Sequence, residues 1–380
     1  MLGRPKSLSS HQGESVQQQD LTHLEPWLDY LWRTDATDLH LAAGSSPRVR
    51  IDGKLASVGE AQHMPSEHVR AIIDGLLSPD DLALFESRRQ LDFAFSWGET
   101  ARFRVNAFHQ MDRPALAIRL IPSKIPEPEA LGLPDACSKF TQLPHGLVLV
   151  TGPTGSGKST TLASMIGWIN LHRPVHILTI EDPVEYVHFS QLALVNQREV
   201  GQDAESFEDA LRAALREDPD VVLVGEMRDK ESIELTLTLA ETGHLVFATL
   251  HTNDAAQTID RVIDVFPPAQ QEQVRTQLSM ALAGVISQRL VPRIGGGRVA
   301  AYEVMIGTNA VTNLIREGKV RQVRNLIATG ARDGMCVLEQ SLAGLAASGV
   351  ITMEDALAAS VHPEDIAGLG APAGTASRNS

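Results

Sequence analysis

Cysteine is scarce in this chain of 380 residues, which contains only Cys137 and Cys336. Two cysteines so far apart in sequence are typical of core residues in a reducing compartment, and they exclude a disulfide framework or a four-cysteine zinc site. Aromatic residues make up only 4% of the chain, which leaves few platforms on which nucleic-acid bases could stack. The sequence therefore favours neither a secreted scaffold nor a zinc-binding protein.

Basic residues are also in deficit, because 33 lysines and arginines face 47 aspartates and glutamates and give a formal net charge of −14. This balance argues against broad binding to anionic membranes, and we expect no nucleic-acid partner. No stretch approaches the 18 or so apolar residues of a membrane span, and residues 1–20 lack the apolar core of a signal peptide. We expect a cytoplasmic protein, or one peripheral to a membrane.

The patterning along the chain predicts two folded domains with polar extensions. Five prolines separate a region of alternating short strands and helices on an antiparallel sheet from a region of βαβ units. In the second region we expect one long helical segment from residue 268 through Leu290. The predicted divisions are a disordered extension (1–20), an α+β domain (21–121), a proline-rich linker (122–145), a core of βαβ units (146–294), a C-terminal helical part (295–367) and a disordered tail (368–380).

A glycine-rich stretch follows the predicted strand 147–150 and precedes a predicted helix. It matches the G-x-x-x-x-G-K-[ST] pattern of a phosphate-binding loop, whose backbone N–H groups converge on phosphate oxygens. In this pattern Lys158 reaches the β- and γ-phosphates, and Ser159 ligates Mg²⁺. The sequence thus predicts a nucleoside triphosphate site formed by Gly152, Thr154, Gly155, Ser156, Gly157, Lys158, Ser159 and Thr160.

Polar side chains follow three further predicted strands at the point where each strand ends. These side chains are Glu181, Glu226 and His251. Because ligands of an open parallel sheet bind at the carboxyl ends of its strands, we expect all three beside the phosphate loop. Glu226 would polarise the attacking water or hold Mg²⁺ through water, alone or together with Glu181, and His251 would sense the γ-phosphate.

Structural roles stay open for the same side chains. The alternative for Glu226 is a carboxylate at a helix N-terminus, and the alternative for Glu181 is a turn cap ahead of Pro183. His244 begins the strand that His251 follows, which separates these histidines by about 23 Å. We therefore expect only His251 near the phosphate, and His244 is as well explained by packing or a subunit contact.

Basic and apolar residues alternate along the predicted strand 102–108 of the N-terminal domain. Arg102 and Arg104 fall on one face of this strand, and apolar side chains fall on the other. These arginines either form a solvated face or reach the γ-phosphate of an adjacent subunit as arginine fingers. Arg228 and Arg261, which lie within the predicted core 146–294, are the rival candidates.

The assembled motifs resemble those of the type IV pilus retraction ATPases, the PilT family, within the secretion-ATPase superfamily. The resemblance runs from about Asp35 to Ile366. Its segments are a Walker A loop (152–160), an Asp box (180–185), a Walker B segment (221–229) and a His box (241–252). The family signature AIRNLIRE appears as Ala310-Val-Thr-Asn-Leu-Ile-Arg-Glu317, with Thr312 in place of an arginine.

This resemblance implies an α/β fold, in which a RecA-like P-loop motor domain follows a small PAS-like α+β domain and ends in a helical region. It implies a homohexamer that hydrolyses ATP with Mg²⁺ at sites completed by a neighbouring subunit. Such a ring docks on the inner face of the cytoplasmic membrane, on a pilus platform protein, and acts indirectly on pilin. The implied activity is pilus retraction, which drives twitching motility.

Two other functions stay open. One is an accessory, PilU-like retraction subunit, and the other is a nucleotide-gated scaffold with little turnover. A pilus-extension motor is disfavoured because the related extension ATPases usually carry a tetracysteine zinc motif, for which this chain has too few cysteines.

Overall fold

The computed structural model describes residues 21–34, 36–51, 54–58, 63–97, 101–122 and 124–369. The expected extension over residues 1–20 lies outside this range, as do residues 370–380 of the expected tail. The chain divides between Lys124 and Ile125 into two units, each with its own core. No helix in the described part of the chain is long and apolar enough to cross a membrane.

The first unit is built around one antiparallel sheet. Its elements are α1 (Glu25–Arg33), β1 (Asp38–Ala42), β2 (Arg48–Ile51), β3 (Lys54–Ser57), α2 (Ser66–Leu76), α3 (Pro79–Arg88), β4 (Gln90–Trp97), β5 (Ala101–Gln110) and β6 (Arg113–Ile121). The strands lie in the order β3-β2-β1-β6-β5-β4, and every neighbouring pair is antiparallel. The antiparallel α+β arrangement that the sequence predicts is therefore present.

The strand β5 alternates between the core and a polar face. Phe103 and Val105 are fully buried, whereas Arg102 and Arg104 lie half-buried on the opposite face. Arg104 stands opposite Arg119 of β6, and the guanidinium of Arg119 donates to a carboxylate oxygen of Asp38 at 2.7 Å. The polar face of this sheet thus gathers arginines from neighbouring strands, with acidic side chains among them.

The second unit is built on a seven-stranded mixed sheet. Its elements are α4 (Pro128–Leu131), α5 (Asp135–Thr141), β7 (Gly146–Thr151), α6 (Lys158–His172), β8 (His176–Glu181), β9 (Leu194–Glu199), α7 (Phe207–Ala214), β10 (Val221–Val224), α8 (Lys230–Glu241), β11 (Leu245–Leu250), α9 (Ala255–Asp264), α10 (Pro268–Ala281), β12 (Leu282–Pro292), β13 (Arg298–Ile306), α11 (Asn309–Arg316), α12 (Val323–Thr329), α13 (Leu338–Ala347), α14 (Met353–Ala359) and α15 (Pro363–Leu369). The strands lie in the order β13-β12-β7-β11-β10-β8-β9. They are parallel from β12 to β9, and β13 is antiparallel to β12.

The central strands of this sheet are buried on both faces, which explains their uninterrupted apolar sequences. In β7, Leu147 and Leu149 join the core formed with helices α7 to α12. Val148 and Val150 join the opposite core, formed with α5 and α6. Layers of helices on both faces leave the carboxyl ends of the parallel strands as the open edge of the sheet, where ligands bind in such folds.

The predicted helix through Leu290 is wrong beyond Ala281, because β12 begins at Leu282. The apolar residues at positions 282, 285, 286 and 290 repeat at a helical spacing, which made a helix the simpler interpretation. In the structure β12 lies between β7 and β13 and is buried on both faces, so no strict alternation marks it as a strand.

Most of the stretch 122–145, for which a linker is expected, packs into the second unit. Residues from Pro128 onward form α4 and α5, and Ala136, Cys137 and Phe140 are buried. The expected division between residues 294 and 295 falls in the turn that joins β12 to β13, and these two strands pair along their length. The strand β13 and helices α11 to α15 therefore continue the second unit.

Candidate functional site

The phosphate loop leads from the end of β7 to the start of α6. Its glycines Gly152, Gly155 and Gly157 have φ angles of +144°, +77° and +91°, which side-chain-bearing residues rarely adopt. A Cβ atom on Gly152 would lie 2.4 Å from the carbonyl oxygen of Gln288, so the close passage past β12 also requires glycine. The loop therefore has the backbone cradle that a triphosphate needs.

The side chain of Lys158 folds back onto this loop. Its ammonium group donates to the carbonyl oxygens of Gly152 at 2.9 Å and Pro153 at 3.2 Å. Burial lowers the pKa of Lys158, and the nearby carboxylates of Glu226 and Glu185 oppose that effect. The lysine is thus held at the loop in position to exchange its carbonyl partners for phosphate oxygens.

Gln288 of β12 supports the loop from behind and was missed in the sequence analysis. Its side-chain amide donates to the carbonyl oxygen of Ser156 at 2.6 Å, and its amide oxygen accepts from the hydroxyl of Thr161 at 2.9 Å. The adjacent Ser287 shares a 2.7 Å hydrogen bond with Thr151. No local motif marks these residues, since the helix predicted there hid their position beside β7.

A cavity of about 560 Å³ opens in front of the loop and gathers the predicted side chains. Glu181, Glu226 and His251 line it, together with the loop residues Thr154, Gly155, Gly157, Lys158, Ser159 and Thr160. Gly152 and Ser156 belong to the same loop but are not among the residues that line the cavity. The structure thus brings together the phosphate loop and the ends of β8, β10 and β11, as strand topology predicts.

Glu226 lies between the side chain of His251, from the end of the adjacent strand, and that of Arg228, two residues further along its own segment. His251 Nε2 is 3.1 Å from Glu226 Oε1, and the Arg228 guanidinium is 3.0 Å from Glu226 Oε2. Arg228 also reaches Asp182 at 3.5 Å. The carboxylate of Glu226 therefore faces the cavity while flanking donors hold it in one orientation.

Glu181 is the most deeply buried carboxyl group of the site. The hydroxyl of Thr179 donates to it at 2.7 Å, and the backbone N–H of Glu185 is 3.4 Å away. Burial raises the pKa of Glu181 to about 7, and the hydrogen bonds only partly offset this. Glu181 is thus divided between its neutral and charged forms near neutral pH, unlike an ordinary turn-capping carboxylate.

The segment after Glu181 is tied to the phosphate loop and to β9. The hydroxyl groups of Tyr186 and Thr160 lie 3.0 Å apart. Gln197 of β9 donates to the carbonyl oxygen of Tyr186 at 2.9 Å and accepts from the backbone N–H of His188 at 2.7 Å. The sequence analysis missed β9 and the contacts of Gln197, because this edge strand is largely polar.

The remaining candidates are distributed differently. His244 lies before β11, where its ring contacts the carbonyl oxygen of Leu239, far from the carboxyl end of the strand. Arg228 lines the cavity, as does Arg298, which the sequence analysis missed, whereas Arg261 is exposed on α9 and is not among the lining residues. Arg102 and Arg104 lie on β5 of the first unit, and their action on another subunit's nucleotide stays a prediction.

The residues present fit a nucleotide bound with Mg²⁺. The left-handed glycines form a backbone cradle, Lys158 supplies a buried cation, and the Ser159 hydroxyl and the Glu226 carboxylate are oxygen ligands of the kind Mg²⁺ prefers. A phosphate loop on a mixed sheet, with acidic groups and a histidine at the neighbouring strand ends, defines a P-loop nucleoside triphosphatase.

Comparison with known proteins places this site in a family. The family described as "Type II/IV secretion system protein" matches residues 34–356. The type IV pilus retraction ATPase PilT of Pseudomonas aeruginosa is 51% identical over 348 residues, which are 91% of this chain and 99% of that protein. The type IV pilus ATPase PilU of the same organism is 40% identical, over 87% of this chain and 86% of PilU.

A solved structure supports the same assignment. The crystal structure of the pilus retraction motor PilT with bound ADP matches this chain with a TM-score of 0.85 at 49% identity. The match covers 90% of this chain and 98% of the PilT chain. This chain belongs to the Type II/IV secretion system protein family. The resemblance to pilus retraction ATPases that its motifs predict is thereby confirmed.

Proposed function

We propose that this chain is an ATPase motor that powers the retraction of type IV pili. The observation that carries the proposal is the position of Glu226, held between His251 and Arg228 at the cavity that the phosphate loop forms. The similarity to a pilus retraction ATPase over nearly the whole of both chains supplies the biological process.

Binding of ATP is the work of the phosphate loop. Its backbone N–H groups and the dipole of α6 bind the phosphates, and the ammonium group of Lys158 turns from the Gly152 carbonyl to the β- and γ-phosphate oxygens. Ser159 and, through water, Glu226 would hold Mg²⁺, which would supply positive charge to offset the negative charge of the phosphates. These groups hold the γ-phosphate at the ends of β10 and β11.

Hydrolysis depends on the side chains that face the γ-phosphate. The carboxylate of Glu226 orients the attacking water and accepts its proton. His251, from the end of the adjacent strand, contacts both this carboxylate and the γ-phosphate, so release of phosphate changes the environment of the loop after β11. Glu181, which titrates near neutral pH, assists Glu226 and holds the segment that follows it by accepting from the backbone N–H of Glu185.

The motor acts as an assembly. In this proposal six copies form a ring. Each copy has a PAS-like first unit and a RecA-like second unit, and a neighbouring subunit supplies Arg102 or Arg104 to the γ-phosphate. Arginine fingers of this kind stabilise the charge of the transferring phosphoryl group. The ring works in the cytoplasm on the inner face of the membrane, where it turns or slides a platform protein and drives pilin back into the bilayer.

The test is ATP hydrolysis by the purified chain, with its mass in solution measured by light scattering. We expect a hexamer with Mg²⁺-dependent turnover that is lost in Glu226→Ala. A protein that binds ATP without hydrolysing it would contradict the motor. Turnover that appears only after a retraction ATPase is added would favour the accessory PilU-like role, for which the 40% identity to PilU is the specific support. A persistently inactive assembly would favour a nucleotide-gated scaffold.

A further inference from the structure

The loop that carries His251 is attached to the sheet through a buried carboxyl group. After His251 the chain runs through Thr252, Asn253 and Asp254 into α9, whose first residue is Ala255. The backbone N–H of Ala255 donates to Glu303 Oε1 of β13 at 2.7 Å. Both residues are buried, with Ala255 0% and Glu303 4% exposed.

Most other hydrogen bonds of this loop are local, apart from a longer one of 3.4 Å that Arg289 of β12 donates to Asn253 Oδ1. The Asp254 side chain accepts from the backbone N–H of Gln257, and Gln257 accepts in turn from the backbone N–H of Asn253, both at 2.7 Å. The hydroxyl groups of Thr252 and Thr258 are also 2.7 Å apart. The local bonds give the loop its shape. Of the two bonds that join the loop to the sheet, the one to Glu303 is the shorter and is buried, whereas the one from Arg289 is exposed.

Glu303 faces a second cavity, of about 230 Å³, away from the phosphate loop. Charged or titratable side chains from several other segments also line it: Asp254, Arg321, Arg324, Glu339 and His362. Burial raises the pKa of Glu303 to about 7, the bond from Ala255 offsets part of this, and Asp254 and Glu339 add to it. The Glu303 oxygen accepts from Ala255 in either protonation state, so an amide can replace the carboxyl group.

We propose that Glu303 is a positioning residue for ATP hydrolysis, since its side chain fixes the start of α9 and thereby the place of His251 relative to Glu226. The first N–H groups of a helix have no partner within the helix, and a buried carboxyl group is a strong acceptor for one of them. Reacting groups lose efficiency steeply when they are displaced by a fraction of an ångström or more. This inference rests on the proposed hydrolysis.

The contacts predict which kinetic constant changes. The phosphate loop is supported by Ser287 and Gln288 of β12, through hydrogen bonds that do not involve Glu303. Loss of Glu303 should therefore leave ATP binding almost intact while it impairs turnover. In Glu303→Ala we expect kcat to fall about tenfold, with KM for ATP within about twofold of wild type.

The experiment measures kcat, KM and the thermal midpoint of the full chain as wild type, Glu303→Ala and Glu303→Gln, with Glu272→Ala as an exposed glutamate control from α10. We expect Glu303→Gln to recover most of the lost kcat, because the amide oxygen still accepts from Ala255. In a His251→Ala background, Glu303→Ala should add little further loss.

Several outcomes would overturn the inference. One is an unchanged kcat in folded Glu303→Ala. Another is an equal loss of kcat in Glu303→Ala and Glu303→Gln. The third is a further loss of kcat from Glu303→Ala in the His251→Ala background that is as large as in the wild-type background. If Glu303→Ala does not fold, Glu303→Asp is measured instead, because its side chain is one methylene shorter and holds the carboxylate further from the Ala255 N–H. We again expect a lower kcat with a nearly unchanged KM. A wild-type chain without turnover would instead refute the proposed function itself.

Discussion

His251 Nε2 lies 3.1 Å from Glu226 Oε1, and so joins the end of β11 to the segment that follows β10. The neighbouring Arg228 contacts the other oxygen of the same carboxylate at 3.0 Å. The carboxylate of Glu226, which is proposed to activate water, is therefore already oriented before nucleotide binds. A preoriented group needs little reorganisation at the moment of reaction, which is how such sites lower the barrier.

Replacing Glu226 by glutamine should separate binding from hydrolysis. Glu226→Gln keeps the shape and the contact with His251 but removes the base, so we expect kcat to fall about 100-fold or more. Binding of a fluorescent ATP analogue should change by less than about threefold. Glu231→Gln, at an exposed position in the first turn of α8, is the control. Turnover at the wild-type rate in Glu226→Gln would contradict the assigned role.

Gln288 should affect nucleotide affinity instead. Gln288→Ala removes the hydrogen bonds to Ser156 and Thr161 and leaves a buried carbonyl oxygen without its donor, at a cost of about 1–3 kcal/mol. We expect the Kd for ATP to rise about tenfold, which calorimetry can measure, and the midpoint of thermal unfolding to fall. An unchanged Kd, against the exposed control Gln270→Ala, would show that the phosphate loop holds its shape without β12.

The buried carboxyl group of Glu181 should make stability depend on pH. Its pKa is about 7 in the folded chain against an ordinary 4.5, so between these values the folded state keeps a proton that the unfolded state releases. The free energy of unfolding therefore falls as pH rises from about 4.5 to 7, by up to about 3 kcal/mol. Glutamine at this position carries no such penalty.

We accordingly expect Glu181→Gln to unfold at a higher temperature than wild type at pH 8 and at nearly the same temperature at pH 4.5. Thermal unfolding followed by fluorescence at both pH values measures this. Glu185→Gln removes an exposed carboxylate from the same segment and controls for the lost charge. A stabilisation that is equal at both pH values would contradict a raised pKa.

The arginines of β5 can be tested by mixing subunits. Arg104→Ala keeps an intact phosphate loop, and Lys158→Ala keeps an intact arginine, so each variant alone should lack turnover. If Arg104 acts on a neighbour's nucleotide, an equal mixture should regain about a quarter of the wild-type rate, because that share of random interfaces pairs an intact loop with an intact arginine. A mixture as inactive as its components would exclude this action, and Arg102 would be tested next.

The sequence predicts the site better than it predicts the supports of the site. The phosphate loop and the strand ends that carry Glu226 and His251 are local patterns, and strand topology brings them together without further information. The support from Gln288 depends on the pairing of β12 with β7, which is more than 130 residues away in the sequence. The sequence does not reveal this pairing, because the apolar residues of β12 fit a helix as well as a strand that is buried on both faces. The bond between Glu303 and Ala255 is similarly non-local.

The raised pKa of Glu181 illustrates the same limit. A glutamate at the end of a strand is visible in the sequence, but its burial and its contact with the following segment, whose Glu185 N–H donates to it, are not. That segment is held by Gln197 of β9, a strand whose polar sequence resembles a loop. Charge states at a site follow from packing, and packing is set by contacts distant in the chain.

The most direct measurement follows fluorescently labelled pili on living cells that carry this chain or its Glu226→Gln variant in place of the chromosomal gene. We predict that wild-type cells extend and retract their pili, whereas variant cells, with equal amounts of the protein, extend pili and lose retraction by about the factor by which hydrolysis falls. Retraction at the wild-type rate in the variant cells would show that hydrolysis at this site does not power it.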